Sequence, residues 1–137
     1  MRSLILSTAI AASLLVLPSV SLAGPAWAPA TATGITAGAG HSNFIIQASV
    51  TLPQSCYAAR IRSTPISMHS PRSFYVEQMG PSSPCTKPTN NYTCTVVSAP
   101  FPLPVPQTVE VYSKGDKSKV KVSTKEPAAT PPLCNKA

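Results

Sequence analysis

Residues 108–123 read TVEVYSKGDKSKVKVS, and the alternation in this stretch decides the fold class. Val109 and Val111 alternate with Glu110 and Tyr112, and Val120 and Val122 alternate with Lys119 and Lys121. A period of two marks a half-buried strand, because successive side chains point to opposite faces. Gly115-Asp116 stands between the two runs. Glycine takes positive φ without steric cost, so the pair suits a two-residue hairpin turn. Folding about it sets Val111 opposite Val120, Val109 opposite Val122, Glu110 opposite Lys121 and Tyr112 opposite Lys119. The valines then share one face and an ion pair forms on the other, each cross-strand pair contributing roughly 0.2–1 kcal/mol. A slip of one residue would set Val against Lys, so the pattern rejects it. The valine face needs a cover, which the rest of the chain must supply.

The same period recurs upstream. From Asn43 to Leu52, the residues Phe44, Ile46, Ala48, Val50 and Leu52 share one face, and Pro53 ends the run. From Cys56 to Ser63, Tyr57, Ala59 and Ile61 point inward and Arg60 and Arg62 outward. From Ser73 to Met79, Phe74 and Val76 oppose Tyr75 and Glu77, and Gly80-Pro81 stops the strand. From Tyr92 to Ser98, Cys94 and Val96 share a face with Tyr92. The connectors are rich in Pro. In PFPLPVP, residues 100–106, Pro alternates with Phe101, Leu103 and Val105, which suits a stiff extended crossover between sheets. No segment after residue 24 carries a helical period or helix caps, and there is no internal repeat. Short strands separated by turn signals predict an all-β chain. The expected architecture is a small antiparallel β-sandwich, immunoglobulin-like or fibronectin-like, with about six or seven strands. The alternative is a small Greek-key barrel.

Residues 1–23 read as a secretory signal peptide: Arg2, an apolar run from Leu4 to Leu17, Pro18, and Ser21 and Ala23 as the small residues of a cleavage site. The apolar run is shorter than the roughly 20 residues of a spanning helix, so no membrane span is expected after signal cleavage. Residues 24–41 hold mostly Ala, Thr, Gly and Pro with one Trp27 and no periodicity, and predict a flexible N-terminal segment. Residues 42–126 form the expected sandwich domain, and 127–137 a C-terminal tail tied by a disulfide.

The chain has 4 cysteines, Cys56, Cys85, Cys94 and Cys134. An even number behind a secretory signal predicts two disulfides and a secreted protein, extracellular or periplasmic. The expected pairing is Cys85–Cys94, closing the loop TKPTNNYT, with Cys56–Cys134 tying the tail. The alternative is Cys56–Cys94 with Cys85–Cys134. With no CxxC pair, and only His41 and His69 to assist, neither a metal site nor a cofactor is expected.

Only 4 acids are present, Glu77, Glu110, Asp116 and Glu126. No nucleophile elbow, phosphate loop or ligand cluster accompanies them, so the chain reads as non-enzymatic. The formal net charge is +7, and losing Arg2 with the signal leaves it one unit lower, which admits an anionic partner. The candidate binding residues are Tyr112, Lys114, Lys117, Lys119 and Lys121 on the outward face of the hairpin. Lysines beside an aromatic ring suit an anionic polymer, a headgroup or an acidic protein surface. Lysines on an edge strand also discourage sheet-to-sheet aggregation. Nucleic acid is not expected, since no recognition motif is present. Asn91-Tyr92-Thr93 is a glycosylation sequon, meaningful only in a eukaryotic source. The functional expectation is a secreted, disulfide-bonded, non-enzymatic β-domain with a binding or structural role at the cell surface or envelope. The alternative is a secreted inhibitor or effector acting through a Cys85–Cys94 loop that a bridge would pre-organise.

Overall fold

The computed structural model describes residues 25–64, 73–102 and 107–136. The expected signal peptide, His69 and residues 103–106 of the Pro-rich run lie outside them. Among the described residues there are nine strands and no helix: β1 (Ala28–Pro29), β2 (Thr31–Ala39), β3 (Asn43–Gln54), β4 (Ala58–Ser63), β5 (Ser73–Met79), β6 (Asn90–Val97), β7 (Phe101–Pro102), β8 (Thr108–Ser113) and β9 (Asp116–Ser123). The hydrogen-bonded order is β1-β5-β8-β9-β2-β3-β6, with β4 added to β5 and β7 to β3. β9 serves two sheets. Asp116–Lys121 pair with β8, and Val122 and Ser123 pair with β2. One sheet therefore holds β4, β5, β8 and β9, with β1 beside the far end of β5. The other holds the end of β9 with β2, β3, β6 and β7. Their inner faces meet as a small all-β sandwich, and the strand path stays open instead of closing into a barrel.

The core is the set of residues that the alternation turned inward. Phe44, Ile46, Ala48, Val50 and Leu52 of β3 are buried, as are Ala59 and Ile61, Phe74 and Val76, Cys94 and Val96, and Val109 and Val111. Fully burying one such large side chain contributes roughly 1.5–3 kcal/mol. Three rings pack where the sheets meet: Phe74 lies 5.9 Å from Phe44 edge-on, and Phe101 lies 5.2 Å from Phe44 and 4.8 Å from Phe74. At the end of β6, Ser98 is buried but satisfied. Its N–H donates to the Ile46 carbonyl (2.8 Å), and its Oγ accepts from the Ile46 N–H (2.9 Å).

Five expectations need correction. First, the sheets are mixed: β5–β8 and β2–β9 run parallel. After β5 the chain crosses to the other sheet for β6 and β7, and it returns to β8 running in the direction of β5. Parallel neighbours need such a crossover.

Second, the hairpin turns on Lys114-Gly115, not Gly115-Asp116. Val109 faces Val120, Glu110 faces Lys119, Val111 faces Ser118 and Tyr112 faces Lys117. Gly115 carries φ 73°, and as the second central residue it takes the position where a type II turn requires positive φ. Asp116 thereby enters β9, where its Oδ1 accepts the Lys117 N–H at 2.7 Å.

Third, residues 28–39 are not a flexible lead-in. β1 pairs with β5, and β2 lies between β3 and β9. Small side chains allow this close approach: Ala30 and Ala37 are buried, and a Cβ on Gly38 would run into the Lys125 carbonyl. Gly34, at φ 56°, sits where the β2–β3 register shifts, as glycine does at a bulge.

Fourth, the disulfides join Cys56 to Cys85 and Cys94 to Cys134. The first pins the loop 80–89 to the β3–β4 turn, alongside the Ser55 N–H to Thr89 carbonyl bond of 2.9 Å. The second holds the tail against β6. Residues 85–94 are therefore not a closed ring. Inward Cys94 needed a partner reaching into the core, and Cys134 is 8 % exposed there.

Fifth, β3 continues through exposed Pro53 to Gln54, which pairs with Asn90. An exposed edge position tolerates the missing donor.

Candidate functional site

The outer face of the β4–β5–β8–β9 sheet collects the charged and aromatic side chains that the inner face excludes. Since Ala59 and Ile61 point inward, Arg60 and Arg62 point out. The same parity turns Tyr75 and Glu77 outward from β5, Glu110 and Tyr112 from β8, and Lys117, Lys119 and Lys121 from β9. The parallel β5–β8 pairing places Tyr75 directly beside Tyr112, and their rings stack at 5.0 Å with 15° between planes. Cations cover both ends of this pair. The Arg62 guanidinium lies 4.9 Å from the Tyr75 centroid, and Lys117 Nζ lies 5.4 Å from that of Tyr112. Arg60 lies 3.9 Å over the Trp27 ring. Such contacts contribute roughly 0.5–1 kcal/mol at exposed sites.

Two carboxylates organise the cations. Glu77 accepts both guanidiniums. Arg60 donates through Nε and Nη2 to Oε2, each at 2.8 Å, and Arg62 through Nε and Nη2 to Oε1, each at 3.1 Å. Glu110 accepts Lys117 Nζ at 3.1 Å and the Tyr112 hydroxyl at 3.1 Å. Partial burial raises the Glu77 carboxyl, but the hydrogen bonds from Arg62 and Arg60 outweigh it and hold the group below its usual 4.5. The hydrogen bond from Lys117 comes first for Glu110, and it too titrates low despite some desolvation. Lys117 is raised in turn, chiefly by its bond to Glu110.

A depressed carboxyl stabilises the fold above its unfolded pKa, and that contribution is lost as pH falls through the folded value. Glu77→Gln should therefore lower stability at pH 7 by on the order of 1 kcal/mol, since the guanidiniums remain partly exposed and solvent screens them. The gap from wild type should narrow below about pH 4.5. Urea unfolding at pH 7 and pH 3 checks this, and a gap that stays constant across that range would disprove it.

The structure brings only part of the expected site together. Tyr112, Lys117, Lys119 and Lys121 share the outer face, whereas Lys114 stands in the turn at its rim. The expected Glu110–Lys121 pair is replaced: Lys119 faces Glu110 across the ladder, and Lys117 makes the ion pair diagonally. Arg60, Arg62, Tyr75, Glu77 and Trp27 join the face without having been named as binding residues. The outward direction of Arg60, Arg62, Tyr75 and Glu77 was readable from the alternation, whereas Trp27 stands in a stretch without periodicity. Their nearness to the hairpin depends on β5 lying beside β8, which local patterns do not encode. Asn91 is exposed at the start of β6 with φ 49°, a conformation that Asn tolerates better than most residues. Among the described residues no group of three His, Cys, Asp or Glu side chains could hold a metal, and no helix is long and apolar enough to cross a membrane. Compared with known proteins, the chain matches no family model, no curated protein and no solved structure.

Proposed function

We propose that the chain is an exported, non-enzymatic binding domain that holds an anionic polymer or acidic surface against the outer face of the β4–β5–β8–β9 sheet. One observation carries this reading: among the described residues, Arg60, Arg62, Lys117, Lys119 and Lys121 share that face with only two carboxylates, Glu77 and Glu110. Lys117, Lys119 and Lys121 project at every second residue of β9 and so stand about 7 Å apart. Lys119 and Lys121 make no ion pair within 4.0 Å among the described residues. Two intramolecular disulfides are compatible with an extracellular or periplasmic setting.

A second reading is favoured by the one-sided pairing of β9. Over Asp116–Lys121 the strand pairs, among the described residues, with β8 alone, and lysines there would keep that edge from templating another sheet. The variant with Lys119→Gln and Lys121→Gln separates the two. If the face binds, affinity for dextran sulfate at low salt should fall about tenfold, with roughly 0.7 kcal/mol lost per exposed contact. The difference from wild type should shrink as salt rises, because screening acts over about 8 Å at 0.15 M. Unchanged binding with faster aggregation would instead assign the lysines to edge protection.

A further inference from the structure

We infer that the gap between the edges of β4 and β6 is a docking groove for an extended segment of a partner protein carrying an acidic side chain. The protein's own tail shows what this gap accepts. Residues 132–135 run there as extended chain, parallel to both edges, bridging Leu133 to Thr95 of β6 and Asn135 to Ala58 of β4. Thr95 N–H donates to the Pro132 carbonyl (2.8 Å), Cys134 N–H to the Thr95 carbonyl (2.9 Å) and Ala59 N–H to the Asn135 carbonyl (3.0 Å).

Backbone groups alternate in direction along a strand, so these bonds identify which residues face the gap. Since Thr95 faces it, Val97 does too, while Ser98 between Val97 and Ala99 bonds back to Ile46. Since Ala59 faces the gap, so do Ile61 and Ser63. Among the described residues, the tail makes no backbone bond to these three. Where the tail stops using the edges, the gap opens into a cavity of about 380 Å³ lined by Trp27, Ile61, Val97, Ala99, Arg60 and Lys136, among others. That volume lies within the range of roughly 300–1,000 Å³ typical of ligand sites. Strand addition uses such edges: backbone bonds hold the added strand and pockets select its side chains.

The charge of the groove selects the side chain. Lys136 is exposed at its wall, Arg60 and Arg62 share the single carboxylate of Glu77, and among the described residues no acidic side chain lines the cavity. A carboxylate on the incoming segment would meet Lys136 and Arg60, and its apolar neighbours would meet Ile61, Val97 and Trp27.

The test uses the oxidised protein and two capped seven-residue peptides that alternate Val and Thr around a central Asp or a central Lys. Calorimetry should show the Asp peptide binding about tenfold more tightly than the Lys peptide. Amide exchange should slow at Val97 and Ile61 when it binds. Val97→Pro removes the donor on an edge that tolerates Pro, and it should weaken the Asp peptide about tenfold, as one lost backbone bond and a steric block require. Lys136→Glu, at an exposed position, should erase or reverse the Asp preference without altering the fold. Equal binding of the two peptides would overturn the inference. So would binding that leaves Val97 and Ile61 exchange unchanged, which would place the peptide on the outer sheet face. Protection of these amides without peptide, rising with protein concentration, would give the groove to a second copy of the chain and also overturn it.

Discussion

Val111→Lys should leave the oxidised chain without its cooperative unfolding transition. Val111 has no solvent exposure. It lies beside Phe74 across the parallel β5–β8 pairing, in the middle of the core. A lysine there must either hold an unpaired charge among Phe and Val or lose its proton at great cost. Changes of this kind cost more than about 4 kcal/mol, against a total stability of roughly 5–15 kcal/mol for an ordinary domain. Val120→Lys is the matched control, since Val120 faces Val109 in the same hairpin but is only half-buried. There the ammonium can reach solvent along its own stem, and a cooperative transition should survive at lower temperature. Thermal melts of the two variants, followed by circular dichroism, decide the matter. Equal melts would mean that the inner face of the hairpin does not meet the second sheet.

The second large effect is expected at the tail. Replacing Cys94 and Cys134 with Ala opens a bridge that spans a sequence separation of 40. The chain-entropy model assigns such a link roughly 4 kcal/mol. The tail should then lose its backbone bonds to Thr95 and Ala59: Leu133 is 55 % exposed, and the Asn135 Nδ2 bond to the Ser55 carbonyl (3.0 Å) lies in the open. Amide exchange should accelerate at Ala59, Thr95 and Cys134→Ala, and denaturant midpoints should fall. The companion variant, with Cys56 and Cys85 replaced, should leave those amides protected and instead free Ser55 and the Thr89 loop. If the tail amides keep their protection without the Cys94–Cys134 bridge, the hydrogen bonds hold the tail unaided.

Both predictions depend on features of unequal legibility. The inward set of β3, from Phe44 to Leu52, was readable residue by residue, because the two-residue period of a strand assigns each side chain to a face irrespective of its partner. The same rule named Val109 and Val111 as core and Arg60, Arg62, Tyr112 and Lys119 as surface. It excluded every odd slip of the hairpin. It was blind to the even slip that occurred, since a shift of two residues leaves every side chain on its face. Turn geometry chose between the remaining registers by placing Gly115 at the position of positive φ. The stretch from Thr31 to Ala39 stayed silent because Ala, Thr and Gly present too little contrast for a period to show. Its place in the sheet depends on close backbone approach to β3 and β9.

By itself, then, the sequence determined the all-β class, the composition of the core and the outward direction of the basic and aromatic residues, all of which are properties of a single strand. Tertiary structure alone decided which strands became neighbours, and with that the disulfide pairing, the Tyr75–Tyr112 stack, the two guanidiniums on Glu77 and the place of the tail between the edges of β4 and β6. Those features join residues far apart in the chain, and their relative positions depend on how the strands pack around one core. No local pattern carries that information.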